Sequence, residues 1–272
     1  MSLTTDAPVP APARGLNALG DLSEHLLSVL ERGGADMSKL GVPAQPEPED
    51  GLWEDVNVPQ ARARRNIWIG SIREASHDRY LQLRLTDLDA NQKPKTLQNW
   101  LSSLVEAKRV GAEPECLQMI VPGNIGSGKT TAVVALGTEA SEKGLLVRFV
   151  KHATYLNWLR PDSAPSGKSS YSVRKDHVEA DLLVLDELCG DMTGLATDFV
   201  CSKTTDLVES RLAAGRATIY TTNLKSRRRP GSQEISIVDI LGERLVSRLG
   251  DRAASARIEG PDRRKPARPL DW

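Results

Sequence analysis

Apolar residues recur along this chain in two rhythms. Leu16, Leu19, Leu22, Leu26, Leu27 and Leu30 follow one another at spacings of three and four, which predicts an amphipathic helix over residues 15–33, closed by Gly33-Gly34. The Pro/Ala-rich residues 1–14 before it predict disorder, and residues 41–60, with four prolines and a cluster of acids, read as a linker. The helix has an apolar stripe with two candidate partners, the body of the same chain or another protein. Residues 61–115 are helical in part, and Asn99–Val105 ends one helix with Lys108 and Arg109 in its last turn.

From Cys116 the rhythm shortens. Apolar runs at Leu117–Val121, Leu145–Val150, Asp181–Asp186 and Thr218–Asn223 predict four strands, the first including Cys116 as a small buried hydrophobe. Between them Thr131–Glu142, Ala153–Leu159 and Thr204–Ala214 predict helices, residues 162–170 a polar loop, and Leu241–Leu249 a further helix. Alternating strands and helices mean an α/β fold with a parallel sheet flanked by helices. Ligands of such sheets bind at the carboxyl ends of the strands. Two segments are expected: residues 1–60 as an N-terminal region and residues 61–272 as the main domain.

Composition adds little to the fold and more to the partners. Apolar residues make up 39% and aromatics only 4%, so the core rests on aliphatic side chains. The formal net charge of zero conceals an asymmetry: residues 1–60 carry ten acids against Arg14, Arg32 and Lys39, a net of −7, leaving +7 on the remainder. A basic body suits phosphate, while the acidic leader is either solvated or meets something else. Cys116, Cys189 and Cys201 lack metal-ligand spacing, which argues against a zinc site or disulfide framework and for a reducing compartment. With no run of eighteen apolar residues and no signal pattern, a cytoplasmic protein without membrane contact is expected.

The chemistry concentrates at the strand ends. Gly123-Asn124-Ile125-Gly126-Ser127-Gly128-Lys129-Thr130 has the form GxxxxGK[ST] between a predicted strand and helix. Its glycines let successive N–H groups face phosphate oxygens at the helix N-terminus. Lys129 is expected on the β- and γ-phosphates, Thr130 on Mg²⁺, and Thr131 beside them. Leu182–Leu185 leads into Asp186, expected to hold Mg²⁺ through water, and Glu187, expected to polarise an attacking water. Asn223, closing the next strand, is placed to orient that water. Arg244 and Arg248 share a helix face and suggest residues supplied to a neighbour, the alternative being surface salt bridges.

These four motifs, Gly-Asn-x-Gly-x-Gly-Lys-Thr, Asp-Leu-Leu-Val-Leu-Asp-Glu, Thr-Thr-Asn and Leu-Gly-Glu-Arg-x-x-x-Arg-Leu, resemble the bacterial replicative helicase loaders of the DnaC type. The IstB transposition helper ATPases share the same core, and both are AAA+ P-loop ATPases near the initiator DnaA. The resemblance covers about residues 75–264. It implies Lys129 and Thr130 as the Walker A pair, Asp186 and Glu187 as Walker B, Asn223 as sensor 1 and Arg248 as the arginine finger. It implies Arg264 as the sensor-2 residue, with Arg263 standing where the family has an aromatic and so a rival for the role. A reduced C-terminal lid is implied as well.

As a whole the resemblance implies ATP hydrolysis with ATP and Mg²⁺ between subunits of a ring or spiral. The implied partners are single-stranded DNA and a hexameric DnaB-type helicase. The clusters Lys225, Arg227, Arg228, Arg229 and Arg263, Arg264, Lys265, Arg268 are candidate DNA contacts, the alternative being solvated loops. A transposition helper remains the second reading. A small-molecule kinase and a scaffold that scarcely hydrolyses are further ones.

Overall fold

The computed structural model describes residues 58–190, 196–229, 231 and 233–264; the predicted helix at 15–33 and most of the predicted linker lie outside them. Helix α1 (Val58–Glu74) begins inside the stretch read as linker, with Pro59 in its first turn, where a missing N–H costs nothing. Three single 3-10 turns lead to α2 (Pro94–Arg109). Leu97, Trp100, Leu101, Leu104 and Ala107 of α2 recur at helical spacing and are buried, and Lys108 and Arg109 close it where the helix dipole favours cations.

The chain then alternates β1 (Gln118–Pro122), α3 (Lys129–Glu142), β2 (Val147–Lys151), α4 (His152–Trp158), α5 (Ser170–Glu179), β3 (Leu182–Asp186), α6 (Asp198–Ala213), β4 (Ala217–Thr222), α7 (Ile237–Gly250) and β5 (Ala253–Ser255). The sheet is wholly parallel, in the order β2-β3-β4-β1-β5. One apolar layer joins its first face to α1, α2 and α3 through Trp68, Leu97, Val133, Met119, Val184 and Ile219. The other joins its second face to α4–α7 through Tyr155, Val173, Leu207, Leu245, Leu183 and Tyr220. Burial on both faces explains why the strands read as continuous apolar runs.

Two expectations need correction, and two elements carry no signal in the sequence. Cys116 precedes β1 and is half-buried rather than lying in a buried strand. Helix α5 is not legible in the sequence because its ten residues SYSVRKDHVE bury only Val173 and His177, too few to make a rhythm. Strand β5 is not legible either, because AAS is short and only half-buried. Residues 241–249 are not one unbroken helix: Gly242 breaks α7 with φ 83° and ψ 162°, a conformation suited to glycine.

Candidate functional site

Strand β1 delivers the chain into the 123–130 loop, and α3 leaves it. Gly126 and Gly128 both have positive φ, and a Cβ at Gly123 would stand 1.7 Å from the backbone oxygen of Ile258. The loop therefore requires glycine for conformation and for close approach. Gln92, from the last 3-10 turn, donates to Gly128 O at 3.1 Å, and Ser127 Oγ donates to Asn124 O at 2.9 Å.

Lys129 is almost fully buried. Its ammonium donates to Gly123 O at 2.9 Å, Asn124 O at 2.6 Å and Asn223 Oδ1 at 2.6 Å. Loop and β4 exit, 94 residues apart, thus meet on one cation. Burial lowers the Lys129 pKa, Asp186 and Glu187 oppose that shift, and Arg264 adds to it.

Asp186 ends β3 with no exposed surface. Thr221 Oγ1 donates to it at 2.5 Å, and Thr130 Oγ1 lies 3.1 and 3.2 Å from its two oxygens. Burial raises its pKa against the pull of those hydroxyls. A buried carboxylate disfavoured as an anion and set beside two hydroxyls is the kind of oxygen set that suits a hard divalent cation. Glu187 leaves the strand in the left-handed region at φ 56° and diverges from Asp186, its backbone N–H donating to Thr221 Oγ1 at 2.9 Å. Its side chain is 40% exposed, with the Lys151 ammonium 3.6 Å away. The divergence comes from this backbone reversal and not from strand alternation alone.

The C-terminal segment after β5 lies along the loop. Ile258 N–H donates to Pro122 O, and Arg263 N–H to Gly126 O, both at 2.9 Å. The Arg263 side chain is committed to structure: Nε donates to Ser127 O at 3.1 Å, Nη2 to Asn91 at 2.9 Å, and Nη1 lies 2.6 Å from Asp89. Asp89, Asn91, Gln92, Lys151 and Thr221 reach the site only through the fold. Only Thr221, within Thr-Thr-Asn, carried a local signal.

Arg248 stands elsewhere. Half-exposed, it lies 3.6 Å from Glu209 of α6 and 3.9 Å from Asp251; Arg244, 79% exposed, reaches the same Glu209 at 3.1 Å. Neither contacts a residue of the 123–130 loop among the described residues. In the first basic cluster Lys225 pairs with Glu234, Arg227 with Glu243 and Arg228 with Asp239. In the second, Lys265 and Arg268 lie outside the described residues. No helix of the described residues is long and apolar enough to cross a membrane.

The profile of the IstB-like ATP binding protein family matches residues 61–245. Among solved structures, the DnaC helicase loader aligns at 21% identity over 66% of this chain and 98% of its own, with a TM-score of 0.52. DnaI aligns at 19% identity over 68% of this chain and 93% of its own, with a TM-score of 0.51. At these identities the likeness is one of fold, and the fold is that of the AAA+ P-loop ATPases. No curated protein matches the sequence significantly.

Proposed function

The chain belongs to the family of IstB-like ATP-binding proteins, and on that premise we propose that it is an ATPase, working as an assembly of its own copies to load a replicative helicase on single-stranded DNA. The observation that carries the ATPase reading is the convergence of Lys129, Asn223, Thr130 and Asp186, with Glu187 turned away from Asp186 towards solvent.

The N–H groups of Gly123–Thr131 and the Lys129 ammonium bind the phosphates, the ammonium exchanging carbonyl acceptors for phosphate oxygens. Thr130 and Asp186 are the residues that would hold Mg²⁺, which supplies charge neutralisation to the phosphate oxygens. Glu187 takes a proton from water as that water attacks the γ-phosphorus and ADP departs, and Asn223 orients the water. Arg264 contacts phosphate, while Arg263 fastens the C-terminal segment to the loop. Arg248, distant from its own loop, serves the neighbour's γ-phosphate.

Lys129→Ala abolishes ATP binding in this reading, whereas Glu187→Gln keeps binding and lowers turnover about 10²–10⁴-fold. Arg248→Ala keeps binding and loses about 10³–10⁵ in rate. Mixing it with Lys129→Ala subunits restores activity, because each supplies what the other lacks. Phosphate release assayed on the mixture checks this, and a mixture as inactive as its parts sinks the trans role. Phosphate appearing on a metabolite would instead indicate a kinase.

The family match equally favours a transposition helper. The acidic, proline-broken leader tilts the reading towards loading, since IstB proteins generally have a basic, helical N-terminal region. Pull-down with replicative helicase against transposase decides, and capture of transposase alone overturns the loader.

A further inference from the structure

A cavity of about 670 Å³ opens beside the carboxyl ends of β1 and β4, on the face covered by α7. It borders the nucleotide site at Gly123, Asn124 and Asn223, but neither Lys129, Thr130, Asp186 nor Glu187 lines it. Its floor is apolar, with Ile120, Leu224, Ile237, Val246 and Leu249, and its rim carries Lys225, Arg227, Arg229 and Arg257 against Glu259 as the one acid among the described lining residues. This volume falls in the range that binds ligands, and apolar floors with a few polar groups are their usual lining.

The rim asks for an anion and the floor for a bulky apolar group. Among the described residues Tyr220 is the one aromatic in the lining, and it is almost fully buried, so these residues offer no stacking platform for bases. The exposed pairs Lys225–Glu234, Arg227–Glu243 and Arg257–Glu259 are each worth little and exchange readily for another carboxylate. The chain itself contains the complementary sequence. Residues 49–55, Glu-Asp-Gly-Leu-Trp-Glu-Asp, place four acids around Leu52 and Trp53 with no base.

That sequence cannot reach the groove of its own chain. Arg64 of α1 donates to Gly144 O below the amino end of β2, and Ser71 Oγ accepts from the Phe149 N–H further up, so α1 starts below the sheet. The groove lies at the opposite end of the strands, three strands across, on the other face. The separation is roughly 30 Å, against about 17–20 Å spanned by the five and six residue steps from Trp53 and Leu52 to Val58.

We propose that the groove receives residues 49–55 of a second copy, with Leu52 and Trp53 on the apolar floor and the flanking acids on Arg229, Arg257 and their neighbours. The contact rests on the reading that copies of the chain assemble. It links the leader of one subunit to the back of the nucleotide loop of the next.

The test uses the full chain bearing Leu52→Ala and Trp53→Ala, which cannot supply the occupant, and a fluorescein-labelled peptide of residues 49–55. Anisotropy should report binding. Arg229→Glu with Arg257→Glu in the acceptor should weaken it about tenfold or more, as loss of paired charge does. Replacing Leu and Trp by Ala in the peptide should weaken it similarly. Retained ATP binding and an unchanged melting midpoint show that the acceptor is folded. No binding, or binding indifferent to both changes, overturns the proposal. So does an oligo-dT that fills the groove without competition from the peptide. Sedimentation of the unmodified chain with ATP tests assembly separately: a chain that stays monomeric while the peptide still binds removes the second copy as occupant.

Discussion

Asp186 and Glu187 are neighbours in sequence with opposite surroundings, and Thr221 organises both. Its hydroxyl donates to Asp186 at 2.5 Å and accepts from the Glu187 N–H at 2.9 Å. Thr221→Val keeps the shape and removes both bonds, leaving a buried carboxylate and an N–H short of partners. Stability should fall by about 1–3 kcal/mol, measured by urea unfolding, and Mg²⁺-dependent ATP binding should weaken as Asp186 loses its orientation. An unchanged unfolding midpoint would show that Thr130 alone suffices. The two arginines at the end of the described chain separate in the same way. Arg263→Ala breaks contacts to Ser127, Asn91 and Asp89 and should lower the melting midpoint. Arg264→Ala should leave that midpoint in place and weaken ATP binding, read by nucleotide titration.

At the scale of elements, the nucleotide loop is held by how α3 is packed as well as by its own glycines. Helix α1 crosses α3 with Trp68 against Gly137, where an added Cβ would come within 2.3 Å of the indole, and Trp68 Nε1 donates to Thr138 Oγ1 at 3.2 Å. On an isolated helix Gly→Ala would gain about 1 kcal/mol. Gly137→Ala here forces the indole out of its seat, an overpacking cost of about 1–3 kcal/mol. The variant should be less stable by chemical denaturation, and pairing it with Trp68→Phe should recover part of the loss. A variant more stable than its parent would mean α1 yields freely. The break at Gly242 is the second device at this scale. It starts a new helical segment just before Glu243, and so sets the direction of Arg244 and Arg248, which both lean on Glu209.

For the molecule as a whole, two buried histidines contribute to the response to acid. His152 and His177 are each pushed down to about 4 by burial. Between about pH 6.5 and 4 the unfolded chain takes up these protons and the folded chain does not, so stability falls as pH falls through that window and is flat above it. Each contributes on the order of 3 kcal/mol over the full window. Asp186, raised by burial, works in the opposite sense, so the comparison that isolates the histidines is with His177→Gln, which should lose its share of the slope in urea midpoints between pH 7 and 4.5. What the sequence determined by itself is whatever rests on local pattern: α/β order from apolar runs, the 123–130 loop from glycine spacing, Asp186 and Asn223 from their places at strand ends. Those signals lie within a few residues of one another. The tertiary structure alone decided that Lys129 meets Asn223, that Thr221 serves Asp186, that Gln92 and Arg263 brace the loop, that three cations of the 225–229 cluster are already paired, and that Arg248 faces away from its own site. Each of these depends on strand order and helix packing between residues distant in the chain, and no short-range rhythm encodes that.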